Sequence, residues 1–474
     1  MLEHPEQNPS KKDFVGFAAT TAPEVAWERA LRDCDGLLRL EKFSEAEQAI
    51  DACSKEAVRL WGESSLQQAL CAERYAELHV RLGRPERAIE IYKAVCEELQ
   101  TIRQDIQVKQ EQSTVILSSY RMNSRQAELL LNLGRHTEAL TAIDGALRAL
   151  DSSELCTTPG YRSTLYLAAN VSFDLSLFED SERYLLRHLA LSSHGREAID
   201  GRLLLARTYR ELDRAELALT VLEPGITDML YAPVGEYDQP LLGALMWERG
   251  LLLKDQQHYE DSIMDHEEAY RLFARSLGPN DQQAIHCRCS LAKVLMTDGQ
   301  LHRAREILTG AVESARQTFG ENAQQVFIPL RLVGELHLAL ARKARQLEVY
   351  SRRLPPSISR DQAEMRLTYS QLEGDIEESQ RAFGLIVRKD DFQLFASECF
   401  RYHLYAARQH LLGAEHICVA AEQPHHRSLI GVYSLLAKVS IQLKRPEEAL
   451  QYRQKSADIS ARVRSHDARA TEKR

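Results

Sequence analysis

Large apolar positions recur along the chain in a fixed phase with small ones. The phase is clearest from His286 to Ala315. Ala292 is followed twelve positions later by Ala304, with Leu308 four beyond that and Ala311 seven beyond. Asp298-Gly299-Gln300 interrupts the apolar spacing between the two alanines, so the stretch predicts a helix, a short turn and a second helix. Leu277-Gly278-Pro279-Asn280-Asp281 leads in, and Phe319-Gly320-Glu321-Asn322 leads out, closing a unit of about 42 residues. Two antiparallel helices approach closely where small side chains face each other. Ala292 and Ala304 stand where that contact is expected.

The same spacing returns as Cys34/Ala46, Ala76/Ala88, Ala127/Ala139, Ala169/Ser181, Ala206/Ala218 and Gly250/Ser262, and again as Ala437/Ala449. Alanine is common in helices, so no one pair decides anything; agreement in phase across the units does. These residues resemble the tetratricopeptide repeat family. The spacing is wider than that family's usual one. The Leu-Gly-Pro-Asn-Asp and Phe-Gly-Glu-Asn linkers are similar to its kinesin-light-chain-like subtype, as are Trp61-Gly62-Glu63-Ser64 and Leu412-Gly413-Ala414-Glu415-His416. The resemblance implies an all-α, right-handed α-solenoid of antiparallel helix pairs.

The spacing predicts seven helix pairs over 23–320, starting after Thr21-Ala22-Pro23-Glu24, with 1–22 a flexible N-terminal segment. The extra polar residues from Thr101 to Ser113 are expected to lengthen the second helix of the second pair. Glu223-Pro224-Gly225 is expected to end the fifth pair, and Ala232 to Pro240 to form a hinge loop. From 321 to 412 the pattern departs. Gly334 holds the small position, but Gln346 stands twelve on with no turn between them. One helix from Ala323 to Leu354 is predicted. A second, from Ser359 to Arg388, is expected to fold back on it as a long helical hairpin, followed by a helix ending near Leu412; Gly384/Ala396 reads as a degenerate copy of the spacing. Residues 413–464 carry a last helix pair, and 465–474 a flexible tail.

Composition narrows the function classes. No apolar run is long enough for a transmembrane helix, and Met1–Ser10 is too polar for a secretory signal. A net charge of −9 argues against a general nucleic-acid binder. Nine scattered cysteines fit a reducing compartment, several of them, Cys34 and Cys53 included, at positions that want a small apolar residue. A cytoplasmic protein is expected, with association to cytoskeleton or cilium one option.

Catalytic motifs are missing where they would be expected to show. His266-Glu267 opens like a zinc-protease helix, but Tyr270 stands where the second histidine belongs. Cys287 and Cys289 lie on different helix faces, and His286 with Cys289 makes only two ligands. His425-His426 reads as an exposed turn. No catalytic residue, metal site or cofactor is assigned, and the chain is expected to be non-catalytic.

What the family resemblance implies instead is a concave groove lined by the first helix of each pair. Transferred by position, the groove starts acidic with Glu73, Glu77 and Glu128. It becomes basic with Arg207, Arg210, Lys254 and Lys293, and Tyr166, Phe173 and Trp247 supply apolar anchors beside Asn170. That composition suits an extended or helical peptide segment of a partner protein. Asn170 and Arg207 match a fragment of the family's chaperone-carboxylate clamp, which is incomplete because Tyr166, Glu128 and Leu251 occupy its other positions. A kinesin-type heptad coiled coil is absent before residue 24. The expected function is an interaction scaffold or adaptor, with a structural subunit of a ciliary, axonemal or transport assembly, or a chaperone cofactor, as alternatives.

Overall fold

A computed structural model describes residues 22–105, 109–151, 156, 158–192, 194–231, 238–351, 389–421 and 426–472. Among these the regular structure is helical, with no strand. The chain divides into two compact units, 1–212 and 213–474. The first holds α1 (Ala22–Arg39), α2 (Phe43–Trp61), α3 (Leu66–Arg81), α4 (Pro85–Asp105), α5 (Lys109–Asn132), α6 (His136–Asp151), α7 (Pro159–Asp174), α8 (Phe178–Leu191) and α9 (Arg196–Glu211). The second holds α10 (Ala215–Leu230), α11 (Gln239–Asp255), α12 (Tyr259–Ser276), α13 (Gln282–Asp298), α14 (Leu301–Phe319), α15 (Phe327–Ser351), α16 (Lys389–Ala420), α17 (Ser428–Gln442) and α18 (Pro446–Glu472).

The small-residue spacing is the contact inside each helix pair. Cys34, Ala46, Ala76, Ala88, Ala292 and Ala304 are fully buried. In two pairs the contact is a hydrogen bond: Ser181 Oγ donates to the Ala169 carbonyl at 3.0 Å, and Ser262 Oγ to the Gly250 carbonyl at 2.6 Å. Seven positions after the first small residue the backbone turns left-handed, at Glu41, Gly83, Gly134, Ser176, Asp213, Gln257, Gly299 and Lys444. Side-chain caps begin several first helices. Ser65 accepts from the Gln68 amide, Thr158 from Tyr161, Asp238 from Leu241 and Asp281 from Gln283. First helices also approach one another, α1 with α3, α3 with α5 and α7 with α9 in the first unit, and α11 with α13, α13 with α15 and α15 with α17 in the second.

Several expectations need correction. α10 does not stop at Pro224 but runs to Leu230. Leu222, Ile226 and Met229 continue one buried face across the proline, whose missing N–H costs little because Pro224 itself faces water. The extra residues between the second and third pairs are shared, since α4 ends at Asp105 and α5 already begins at Lys109. Leu412-Gly413 is no linker: α16 passes through it because Leu404, Ala407, Leu411 and Ala414 form one buried stripe. The backbone of α18 continues to Glu472, past the expected helix end at 464.

α15 is unbroken from Phe327 to Ser351, with no turn between Ala339 and Gln346. Its partner is α16, and the two form an eighth pair, packed through Leu330, Leu336, Leu404 and Leu411. The expected fold-back helix from Ser359 to Arg388 lies outside the described residues, as do the N-terminal segment 1–21, the 232–237 part of the hinge loop, Gly384 and His425.

Candidate functional site

In the first unit the acidic start of the expected groove is neutralised by neighbours. Glu73 of α3 takes a two-pronged contact from Arg121 of α5, at 2.5 and 2.6 Å, and a third bond from Arg74 at 3.0 Å. Arg74 also grips Asp35 of α1, at 3.1 and 3.2 Å. A chain of charges thus ties three successive first helices together. Glu77 pairs with Arg81 one turn on, and Glu128 with Arg125 one turn back. Reading single positions at repeat spacing missed Arg74, Arg121 and Arg125. For Arg74 and Arg125 the signal was present in sequence, since each falls beside or within one turn of an acid; Arg121 stands 48 positions from Glu73.

Further along that unit, Asn170 lies against Tyr166 on α7, and charges on α9 act on the Tyr166 ring. Asn170 Nδ2 donates to the Tyr166 carbonyl one turn back, at 3.1 Å. Burial pushes the Tyr166 hydroxyl up; Asn170 beside it pulls it back, Asp200 of α9 reinforces the rise and Arg207 of α9 opposes it. The ring lies 5.6 Å from His188 of α8. Phe173 is set apart from this group: it packs edge-on against Phe178 at 5.5 Å, across the turn of its own pair. Arg210 reaches its neighbour Glu211 at 3.4 Å.

In the second unit Trp247 is tied down rather than offered. Its indole N–H donates to Ser290 Oγ of α13 at 3.0 Å, and its ring meets Phe273 of α12 edge-on at 6.3 Å. Lys254 bonds its neighbour Asp255 at 2.7 Å with most of its side chain covered. Lys293 is exposed and makes no ion pair among the described residues. A largely covered pair in this unit involves Arg249, which grips Asp265 with two bonds of 2.7 Å and Glu223 with one of 3.1 Å.

The candidate chemical residues do not converge. Cys287 and Cys289 are buried, and burial raises both thiols, that of Cys289 to about 12. Burial lowers His286. Among the described residues no group of three His, Cys, Asp or Glu side chains can hold a metal ion, and no helix is long and apolar enough to cross a membrane. The guanidinium and ammonium groups described here are of the kind that bind carboxylates, and the half-buried aromatic rings of the kind that take apolar side chains.

Antiparallel helix pairs repeated in fixed phase define a helical repeat protein. A family model for the tetratricopeptide repeat matches residues 285–322, which span α13, its turn and α14. That stretch of the chain carries a tetratricopeptide repeat. Among solved structures, the apo form of RapI is 10% identical, with a TM-score of 0.51, over 93% of this chain and 99% of that one. The apo form of the quorum sensor NprR from B. thuringiensis is 14% identical, with a TM-score of 0.49, over 92% and 99%. BtubC from P. vanneervenii is 12% identical, with a TM-score of 0.40, over 61% and 90%. At these identities the likeness is one of fold. A comparison with curated proteins gives no match.

Proposed function

We propose that this chain is a non-catalytic scaffold that holds a segment of a partner protein on the face made by its first helices. One observation carries the reading. Successive first helices close on one another, α7 with α9 among them, and the Arg207 charge of α9 acts on the Tyr166 hydroxyl of α7. The partner segment is extended or helical and carries carboxylates for cations of a single unit, Arg207 and Arg210 in the first or Lys254 and Lys293 in the second. Glu73, Glu77 and Glu128 enter this reading only as groups that hold neighbouring arginines in place. Trp247 enters it as a support for α11 and α13.

A second reading, a structural subunit of a larger assembly, draws on exposed rings of the C-terminal second helices. Tyr402 and Tyr405 of α16 are half exposed, and Leu450 of α18 more so. Affinity purification with mass spectrometry separates the two. The wild type is compared with Arg207→Glu/Arg210→Glu, with Lys254→Glu/Lys293→Glu and with Tyr402→Ser/Leu450→Ser, each shown by circular dichroism to be folded. Loss of a small set of partners with the charge reversals supports the scaffold. Loss only with the α16/α18 variant overturns it in favour of the assembly subunit.

A further inference from the structure

Three of the nine thiols converge in the first two repeats. Cys34 of α1, Cys53 of α2 and Cys71 of α3 are all buried, and they share one apolar cluster with Trp27, Leu31, Ile50 and Leu78. Cys34 and Cys53 face each other across the first helix pair with their sulfurs 3.8 Å apart. Cys34 stands at the small position of its repeat, and the Cys53 carbonyl accepts the Trp27 indole N–H at 3.0 Å. A disulfide bond is about 2 Å long, so the two sulfurs are about 1.8 Å short of bonding distance. Cys71 makes no such sulfur contact among the described residues.

α1 packs on α2 and α3. In a repeat fold each helix pair rests on its neighbours, so α1 can lift from α2 without opening the later pairs. That motion brings both sulfurs to solvent, where a small-molecule disulfide can serve as oxidant. The thiolate of one cysteine attacks a sulfur of that disulfide, and one small thiolate leaves. The second cysteine then attacks the protein sulfur of the mixed disulfide and expels the other half. Two cysteine thiols are oxidised to one disulfide, the small disulfide is reduced to two thiols, and the two cysteine protons end on them. Once α1 reseats, the new bond joins α1 to α2 and closes a loop over the 19 positions that separate the cysteines. Asp35, next to Cys34, is the carboxylate that Arg74 grips, so the same bond fixes that end of the charge chain. In a reducing compartment the pair stays a dithiol until the disulfide pool rises.

We propose that Cys34 and Cys53 are a dithiol–disulfide switch: oxidised, they staple α1 to α2, and reduced, they leave that pair free to open. The switch does not rest on the scaffold reading, and either can fail alone. The test uses the full chain equilibrated with reduced and oxidised glutathione at a rising oxidised share, then alkylated with iodoacetamide and digested for mass spectrometry. A linked peptide pair containing Cys34 and Cys53 is expected to grow with the oxidised share and to be reversed by dithiothreitol. Hydrogen exchange across α1 is expected to slow at least about tenfold from the reduced to the oxidised chain, because the bond restricts the open state. Exchange in α5–α6 is expected to stay unchanged. Cys34→Ala, which places the repeat's commonest small residue at that position, removes both effects, and Cys71→Ala keeps both. If Cys34→Ala does not fold, Cys53→Ala takes its place, and the wild-type measurements stand without either. Alkylation of both thiols at every ratio, linkage through Cys71, a glutathione adduct that goes no further, or a Cys34–Cys53 link that leaves α1 exchange unchanged overturns the proposal.

Discussion

Gly334 of α15 lies against Leu411 of α16 so closely that a Cβ there would come within 2.6 Å of Leu411 Cγ and 2.8 Å of its Cδ2. This contact shows that the small position of the eighth repeat is kept while its partner has moved far along the chain. It also sets the sign of a substitution. In an open helical site, Gly→Ala stabilises by about 0.5–1 kcal/mol. At Gly334 the overpacking penalty of about 1–3 kcal/mol outweighs that gain. Gly334→Ala is expected to destabilise the second unit by about 1–2 kcal/mol. Gly36→Ala, in α1 with no atom within 4 Å of the added Cβ, is expected to stabilise the first unit. Urea denaturation of both variants checks the pair; equal signs would defeat the argument.

The left-handed turn position gives a second test. Gly299 adopts φ 87°, and a Cβ there meets nothing within 4 Å, so only backbone strain opposes a side chain. Gly299→Ala is expected to cost about 1–2 kcal/mol. Gln257 and Ser176 already bear that strain, at φ 67° and 59°. Gln257→Gly and Ser176→Gly are expected to be neutral to stabilising by up to about 1 kcal/mol, because relief of strain offsets the entropy of the new glycine. Thermal melts of the three variants read the opposite signs directly.

The fold was legible because its rule is local. Ala292/Ala304 and their counterparts meet within one helix pair, so a spacing of twelve reports a physical contact. Pro224 misled because the buried stripe of Leu222, Ile226 and Met229 outweighs a local breaker at the water-facing side. The eighth pair misled because the partner of Gly334 is Leu411, beyond any spacing the other repeats share. The groove was only half legible. Whether Glu73 is free depends on Arg121, which lies on the next repeat's first helix. His337 and His403 are 66 positions apart in sequence, and no periodicity announces their meeting.

Ion pairs on and behind the proposed face differ enough in burial to be told apart. Arg249 and Asp265 leave 22% and 10% of their side chains exposed, whereas Arg125 and Glu128 leave 58% and 56%. Removing Asp265 leaves the largely covered Arg249 guanidinium with Glu223 as its one carboxylate among the described residues. Asp265→Ala is expected to destabilise the second unit by about 2–4 kcal/mol. Glu128→Gln is expected to change stability by less than about 0.5 kcal/mol, because an exposed pair gains little over hydration. Denaturant titration distinguishes these outcomes. A large loss from Glu128→Gln would give that carboxylate a structural role it lacks here.

His266 makes the second unit's stability depend on pH. The ring is fully buried in α12. Its Nδ1–H donates to the Ser262 carbonyl at 2.7 Å, while Nε2 has no hydrogen-bond partner among the described residues. A second proton would put an N–H on Nε2 with no acceptor, and burial accordingly lowers the group to about 4, with Lys254 adding to the fall and Ser262 and Asp265 opposing it. The folded value lies below the ordinary one near 6.5. The stability this neutral ring confers is therefore complete above pH 6.5 and is lost progressively as pH falls towards 4. The loss at pH 4 is about 2–3 kcal/mol by linkage. Replacing the ring by a group that does not titrate, His266→Gln, is expected to lower stability at pH 7.5 through imperfect packing but to flatten the decline of the second unit between pH 6.5 and 4.5. Denaturation midpoints for wild type and variant across that window test it. A decline of the same slope in both would mean that another group takes up the proton.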